Sequence, residues 1–259
     1  MKKEPRYSTI ELMACAASRI LEDQKSVFVG TGLPIVAAAL AQRTHAPNLL
    51  IVFESGGVGP RVPTLPISVG ESRTFHRAVM ASSMDYVMST AQLGYVDYGF
   101  LGAAQIDMFG NLNTTVIGSH EQPTVRLPGS GGANDCGSLC WRTIIIMQQS
   151  RQRFVQKLDF LTTPGYLSGV GARGRAGLPF GTGPHRAVTQ LGVMGFDEET
   201  KRMKLVSVHP HVTVGQVKEN TGFELIIPEN VTTTEPPTKK ELDTLRKEID
   251  PAGIVLGSK

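Results

Sequence analysis

The chain has 259 residues, of which 41% are hydrophobic and 19% charged, and its formal net charge is +3. This composition allows a buried core without disulfides or structural metals. The 26 lysines and arginines are interspersed with 23 acidic residues, which argues against nucleic acid as the main partner. Three cysteines make no even disulfide framework, so we expect a reducing compartment, the cytoplasm.

The apolar runs of the chain are short, and its composition changes little along its length. The longest uninterrupted run, residues 35–41, falls far short of the ~20 residues that a transmembrane helix needs. Glu4 and Glu11 interrupt the N-terminal stretch where a signal peptide would be apolar. We therefore expect no membrane partner and a single domain over residues 1–259.

The first part of the chain alternates helix and strand patterns. Ser8 followed by Glu11 is a capping-box pattern, and it predicts a helix over about residues 8–23. The apolar run in "NLLIVFE" predicts a strand buried on both faces, as in a parallel sheet covered by helices. Two further predicted elements lie between them, a strand in residues 26–32 and a helix in residues 33–43.

The rest of the chain predicts more strands and a closing helix. A glycine-rich loop is expected over residues 161–186, and a second capping box, Thr238 with Glu241, predicts a helix to about residue 249. The alternation indicates an α/β fold, an open three-layer α/β/α sandwich with a mainly parallel sheet. The strands are predicted in residues 98–107, 142–149 and 157–167, and a hairpin in 187–210 with its turn at 197–201.

A carboxylate follows a buried strand in "LLIVFESGGVG". In open α/β sheets ligands collect outside the carboxyl ends of the strands, where Glu54 would lie. Desolvation there strips the hydration of a carboxylate and makes it a base or a nucleophile, while Gly56, Gly57 and Gly59 leave room for a substrate. A polar residue at a strand end is also commonplace, so position alone leaves a structural role open.

Two other segments suggest a binding site. "LPGSGGANDCG", residues 127–137, has four glycines in nine residues and can direct several backbone N–H groups at an oxyanion, although a flexible connection fits equally. The side chains in "GAAQIDMFGNLNTT" serve either turns or a substrate. They are Gln105, Asp107, Asn111 and Asn113.

Several other motifs lack a residue that their chemistry needs. "VGTGLP" has Ile35 where a dinucleotide fingerprint requires its third glycine, so a tight strand-to-helix turn explains it as well. Neither Ser55 nor Ser130 has the leading glycine of a nucleophile elbow. Two pairs of possible zinc ligands, Cys136 with Cys140 and His209 with His211, lack the further ligands that a zinc site needs. Most of the arginines are expected on the solvated surface.

The ordered motifs "VGTGLP", "ESG", "GAAQID..GN.N", "GSGGAN" and "D(F/Y).T.PG" resemble those of one family. The chain is similar, over nearly its whole length, to the β subunits of class I CoA-transferases of the glutaconate CoA-transferase type. "GLP" at 177–179, "FDEETKRM" at 196–203 and "ENTGFEL" at 219–225 extend the agreement. Succinate or acetate relatives usually carry Ser-Glu-Asn-Gly at the acid, whereas Phe53 and Ser55 flank it here, which favours the glutaconate-like branch.

The resemblance implies the fold shared by CoA-transferases and sugar-phosphate isomerases, and an α subunit in an α/β hetero-oligomer. It implies that Glu54 is the catalytic residue and that CoA is a substrate, with no metal or redox cofactor. It places the oxyanion site at the matching positions of the glycine loop, which are Gly131, Gly132 and Ala133. Gln105 and Asn113, from the polar segment described above, are the candidate substrate-binding residues.

The implied activity is movement of CoA between an acyl-CoA and a small, dicarboxylic acid through a glutamyl-CoA thioester on Glu54. Two alternatives stay open at the level of sequence. Water admitted to the acyl-glutamyl anhydride would make the enzyme a CoA-ester hydrolase or another CoA-ester lyase. A non-catalytic module of the same fold is the third hypothesis, and the glutamate at position 54 argues against it.

Overall fold

A computed structural model describes residues 6–257 of the chain. These residues form seven α-helices and fourteen strands, with a 3₁₀-helix at Ser72–Phe75 and a π-helix at Leu245–Ile249. In chain order they are α1 (Thr9–Ser18), β1 (Ser26–Phe28), α2 (Leu33–Thr44), β2 (Leu50–Val52), β3 (Gly57–Val58), β4 (Met80–Ala81), α3 (Met84–Gln92), β5 (Tyr98–Leu101), β6 (Gln105–Ile106), β7 (Leu112–Asn113), β8 (Val116–Gly118), β9 (Pro123–Arg126), α4 (Ala133–Leu139), β10 (Arg142–Ile146), α5 (Ala172–Arg175), β11 (Pro184–Val188), β12 (Gly192–Phe196), β13 (Met203–Val208), α6 (Val214–Glu219), β14 (Thr232–Thr233) and α7 (Lys239–Thr244).

The described residues form two compact units. The first contains residues 6–100 and 235–257, and the second contains residues 101–234. Both units combine strands with flanking helices, which confirms the α/β class predicted from the sequence. The single domain over residues 1–259 stays a prediction.

The first unit has parallel strands at its centre. β1 pairs in parallel with both β2 and β5, whereas β3 and β4 add antiparallel strands beyond β2. Ile51, Val52 and Phe53 are all buried, as the apolar run predicted. Helix α2 buries every residue from 35 to 41, so the longest apolar run of the chain is a core helix.

Both predicted capping boxes of the first unit are present. Ser8 and Glu11 begin α1, and Thr238 and Glu241 begin α7, each through a reciprocal pair of side-chain and backbone hydrogen bonds. α1 ends at Ser18 rather than near residue 23, and Gln24 beyond it has a positive φ of 60°, which a helix does not allow.

The two capping glutamates also join the first helix to the last segment of the chain. Arg246 donates to Glu11, and Arg19 donates to both carboxylate oxygens of Glu241 at 2.8 and 2.7 Å. Burial raises the pKa of each carboxyl, but hydrogen bonds from the arginine and from the capping residue outweigh it and hold the pKa below its usual value. Each glutamate therefore stabilises a helix end and a tertiary contact together.

The second unit ends in a mixed set of parallel and antiparallel strands. β10 pairs in parallel with β11, β11–β12–β13 are antiparallel, and β14 is parallel to β13. The predicted hairpin is confirmed by β12 and β13, whose turn is closed by Thr200, since its N–H and hydroxyl both donate to Asp197 at 2.8 Å.

The strand predicted within residues 157–167 is wrong. This segment has one isolated bridge, Leu112 to Thr163, and otherwise runs as turns. Pro164 has no N–H, and the amide oxygen of Asn111 accepts the N–H groups of Gly165 and Leu167 at 2.8 and 3.0 Å. A side chain therefore binds the backbone groups that a neighbouring strand would have bound.

Two further observations concern the chain as a whole. No helix among residues 6–257 is long and apolar enough to cross a bilayer. The side chains of Cys15, Cys136 and Cys140 are buried thiols, and burial raises the pKa of Cys15 to about 12. These thiols behave as small core side chains.

Buried His209 makes the stability of the second unit depend on pH. Its Nε2 donates to the carbonyl oxygen of Thr189 at 2.8 Å, and its Nδ1 lies 3.0 Å from the hydroxyl of Thr234. Burial lowers its pKa, so the unfolded chain takes up a proton first as the pH falls below about 6.5. We expect the free energy of unfolding, measured in urea, to fall between pH 7.5 and pH 5. His209→Gln should weaken this dependence, and the exposed control His76→Gln should keep it.

Candidate active site

Glu54 lies at the tip of the tight hairpin that joins β2 to β3. The N–H of Gly56 donates to the carbonyl of Phe53 at 3.0 Å, and the N–H of Phe53 donates to the carbonyl of Gly57 at 2.9 Å. These bonds close the turn directly after the parallel strand. Glu54 is half-buried, and its carboxylate has no hydrogen-bond partner among residues 6–257. The protein therefore presents an unpaired carboxylate at the carboxyl end of a strand.

Gly56 and Gly57 are required by the protein itself rather than by a substrate. A Cβ at Gly56 would lie 2.0 Å from the carbonyl oxygen of Ser82, and one at Gly57 would lie 2.1 Å from that of Thr74. Gly56 also has φ +111°, which side-chain-bearing residues rarely adopt. The expectation that these two glycines leave room for a substrate is thus wrong, because neighbouring backbone fills the space.

Hydroxyl groups hold the same turn. The hydroxyl of Thr74, fully buried, donates to the carbonyl of Glu71 at 2.6 Å. It has one proton, so in its 3.2 Å contact with Ser55 it is the acceptor and Ser55 the donor. The N–H and hydroxyl of Ser82 both donate to the carbonyl of Gly56, at 3.0 and 2.9 Å. The residues on either side of the acid are therefore held in place.

Gly56→Ala should destabilise the protein strongly, since the added methyl group overlaps backbone and the residue must keep a positive φ. We expect a loss of about 3 kcal/mol or more in the free energy of unfolding. Urea denaturation measures it. Gly70→Ala is the matched control, because a Cβ at Gly70 meets nothing within 4 Å. Equal stability of both variants would contradict this account of the turn.

The predicted glycine loop leads into helix α4. Gly129 and Gly131 have φ of +95° and +48°, and Gly132 is the residue before the first turn of the helix. The N–H of Ala133 donates to the carbonyl of Ser130 at 2.9 Å, whereas those of Gly131 and Gly132 have no partner among the described residues. Two adjacent N–H groups are therefore free to bind an anion, and the third is already used.

Gln105 and Asn113 lie close together but face the protein. Asn113 is fully buried and donates to Gln105 at 2.8 Å and to the carbonyl of Val116 at 2.7 Å. Gln105 in turn donates to Asp159 at 2.9 Å. These bonds favour the structural alternative for both residues, as do the contacts of Asp107 and Asn111 within their own turn. A substrate-binding role for Gln105 and Asn113 stays a prediction.

Arg173, an arginine for which the sequence favours a solvated surface position, is instead buried beside helix α4. It is 7% exposed, and its guanidinium group donates to backbone carbonyls of α4 and of residues 164–165. No carboxylate contacts it, and burial lowers its pKa. The acceptors are the carbonyls of Pro164 (3.2 Å), Gly165 (2.8 Å), Gly137 (3.2 Å) and Ser138 (3.0 Å) and the hydroxyl of Thr182 (2.7 Å).

The donor set for a metal ion is absent from the described part of the chain. No group of three or more His, Cys, Asp or Glu side chains comes together among residues 6–257. The sulfur atoms of Cys136, in α4, and of Cys140, the residue after α4, lie 3.9 Å apart. The candidate reactive groups described above are the carboxylate of Glu54 and the backbone N–H groups of the glycine loop.

Several known proteins are similar to this chain over most of its length. The coenzyme A transferase family model matches residues 10–220. The B subunit of the 3-oxoadipate CoA-transferase of Pseudomonas knackmussii is 42% identical over 93% of this chain and 92% of its own. The B subunit of the glutaconate CoA-transferase of Acidaminococcus fermentans is 38% identical over 95% and 93%.

The fold of the chain is also similar to that of a solved structure. The crystal structure of glutaconate coenzyme A-transferase from Acidaminococcus fermentans matches with a TM-score of 0.93 and 35% identity, over 98% of this chain and 99% of that one. A more distant relative, the cholesterol ring-cleaving hydrolase IpdB subunit of Mycobacterium tuberculosis, is 27% identical over 94% and 95%. The family-model match and the two CoA-transferase relatives show that the chain belongs to the coenzyme A transferase family.

Proposed function

We propose that this chain is the B subunit of a CoA-transferase that moves CoA between an acyl-CoA and a small dicarboxylic acid. The observation that carries the proposal is the carboxylate of Glu54, half-buried and unpaired at the tip of a rigid hairpin. A nucleophile must be held in place and yet be free of competing hydrogen bonds. The relatives named for 3-oxoadipate and glutaconate, both dicarboxylic acids, support the substrate class.

The reaction uses Glu54 as a covalent carrier. One carboxylate oxygen attacks the thioester carbonyl carbon of the acyl-CoA, and the C–S bond breaks to release CoA thiolate. The product is an acyl-glutamyl anhydride. The thiolate then attacks the glutamyl carbonyl carbon and expels the acyl group as a free carboxylate, which leaves a glutamyl-CoA thioester. An incoming carboxylate reverses these steps, so the free energy of the thioester bond is conserved.

Each attack creates an oxyanion that needs hydrogen-bond donors. The N–H groups of Gly131 and Gly132 are unpaired and adjacent, and they are the donors we assign to it. The N–H of Ala133 is bound to Ser130, so Ala133 serves by beginning the helix behind the loop. Removal of one such donor typically costs about 3 kcal/mol of barrier.

The partner is a separate A subunit, in an α/β hetero-oligomer. The names of the two CoA-transferase relatives, each of which denotes one subunit of an enzyme, support this assignment. Half-exposure of Glu54 in the isolated chain also supports it, because a reactive anhydride needs shielding from water that this chain alone does not supply. We expect the purified chain to be nearly inactive and to gain activity when co-expressed with its A subunit. Full turnover by the isolated chain would refute the two-subunit assignment.

Hydrolysis of a CoA ester is the second candidate, because Glu54 is partly exposed and water could reach an anhydride formed on it. One similar protein is named as a ring-cleaving hydrolase. In hydrolysis water, rather than an incoming acid, resolves the covalent intermediate. The assembled enzyme should be supplied with an acyl-CoA and an excess of dicarboxylic acid, and free CoA and new acyl-CoA should be measured together. Transfer predicts new acyl-CoA without net release of CoA. Release of CoA at a rate independent of the acceptor would select the hydrolase.

A further inference from the structure

A cleft rich in arginine lies at the far end of the hairpin from Glu54. It has a volume of about 350 Å³ and is lined by the end of α2, the start of β2 and the chain after β3. Arg43, Arg61 and Arg77 all border it. Residues Leu50 to Glu54 span the hairpin, about 13 Å at the rise of an extended chain. The cleft is therefore a site separate from the reactive carboxylate.

The arginines of the cleft have few partners. The side chains of Arg61 and Arg77 make no hydrogen bond or ion pair among residues 6–257. Arg43 reaches two backbone carbonyls at 3.4 and 3.5 Å and lies 3.8 Å from Glu248, which is 58% exposed. The nearby Arg73, in contrast, is paired with Glu71. Glu248 pairs with Arg43 alone, so Arg61 and Arg77 give the cleft positive charge that no acid among residues 6–257 neutralises.

The backbone conformation of Arg77 is a second, independent sign that the cleft is functional. Its φ is +51°, a left-handed conformation that costs a residue with a side chain about 1 kcal/mol relative to glycine. Strain of this kind persists where the surrounding structure and the function require a particular side chain. Glycine would fit this turn with less strain, yet the position has a cation that borders the cleft.

We propose that this cleft binds the phosphate groups of a phosphorylated small molecule. Guanidinium groups form paired, charge-assisted hydrogen bonds with phosphate oxygens, and three of them around one cleft suit a diphosphate better than a single carboxylate. The phosphates come from one of two sources. They belong to the CoA substrate, which has a 3′-phosphate and a diphosphate, or to a separate phosphorylated metabolite that binds beside the reaction.

The test is binding of inorganic pyrophosphate to the co-expressed two-subunit enzyme, measured by calorimetry at low salt. We expect saturable binding that weakens as salt is raised, and a roughly tenfold or larger loss of affinity in the Arg61→Gln/Arg77→Gln variant. Arg151→Gln/Arg153→Gln is the matched control, because it removes two exposed arginines from the second unit. Absence of binding, or equal loss in both double variants, would overturn the proposal.

Arg77→Gly separates a ligand role from a structural one. It relieves the positive φ while it removes the cation, so we expect weaker pyrophosphate binding with an unchanged or higher melting temperature. Unchanged pyrophosphate affinity in this variant would contradict the proposal. A fall in the amount of assembled enzyme would show instead that Arg77 contacts the A subunit, and would also overturn it.

The two sources of phosphate are distinguished by kinetics. If CoA supplies the phosphates, Arg61→Gln/Arg77→Gln should raise the KM for acyl-CoA but change it less for the acyl-3′-dephospho-CoA, which lacks one phosphate. If a separate metabolite supplies them, both KM values stay unchanged and pyrophosphate binds without competing with CoA. Pyrophosphate binding does not need Glu54, so it should persist in Glu54→Gln. Loss of CoA transfer and loss of pyrophosphate binding can therefore be observed independently, so each proposal can be rejected without the other.

Discussion

Glu54→Gln is expected to abolish CoA transfer by the assembled enzyme and to leave its stability unchanged. The amide has nearly the shape of the carboxylate but cannot attack a thioester, and loss of a covalent nucleophile typically lowers kcat by roughly 10⁴-fold or more. No described residue hydrogen-bonds the Glu54 side chain, so the substitution breaks no hydrogen bond of the fold. Initial rates with acyl-CoA and acceptor acid, with urea denaturation beside them, measure both effects.

A chemical trap tests the covalent intermediate directly. Borohydride added after acyl-CoA should reduce the glutamyl-CoA thioester to an alcohol, which replaces one oxygen of the Glu54 carboxyl by two hydrogens. Mass spectrometry of the peptide that contains Glu54 detects this change. Ser55→Ala is the control, since it alters the same turn and keeps the acid; it should still form the adduct. Normal transfer by Glu54→Gln, or transfer with no trapped adduct, would remove Glu54 from the mechanism.

Arg173→Met is expected to give the largest loss of stability among single substitutions of the second unit that we describe. Methionine fills similar space but leaves four carbonyls and one hydroxyl without their donor in a buried site. Unsatisfied buried polar groups cost about 1–3 kcal/mol each before relaxation, so we expect a loss of roughly 3–5 kcal/mol. The midpoint of urea unfolding of the assembled enzyme measures it.

Two variants make this prediction specific to the guanidinium group. Arg175→Met changes an exposed arginine two residues further along the same helix, and it should alter the midpoint little. Arg173→Lys keeps the charge but cannot reach five acceptors at once, so it should resemble Arg173→Met. A stability near that of the unmodified protein in both Arg173 variants would show that water replaces the guanidinium group, and would contradict the prediction.

Structural elements that depend on residues close together in the sequence were predicted correctly. The capping boxes at Ser8 and Thr238 each depend on two residues three positions apart, and both were found. The buried strand before Glu54 and the turn at Asp197 follow from apolar runs and from short-range hydrogen bonds in the same way. The strand predicted near Pro164 is not formed, because the side chain of Asn111, distant in sequence, accepts the N–H groups of this segment.

The sequence by itself determined the α/β class, the helix starts, and a carboxylate after a buried strand, because each depends on neighbouring residues and on the period of the apolar pattern. Only the tertiary structure decided that Gly56 faces the carbonyl of Ser82, that Gln105 and Asn113 bind each other, and that Arg173 is buried among carbonyls. These contacts join residues far apart in the chain. Whether these contacts form depends on how the fold brings distant segments together, and no local sequence pattern encodes that.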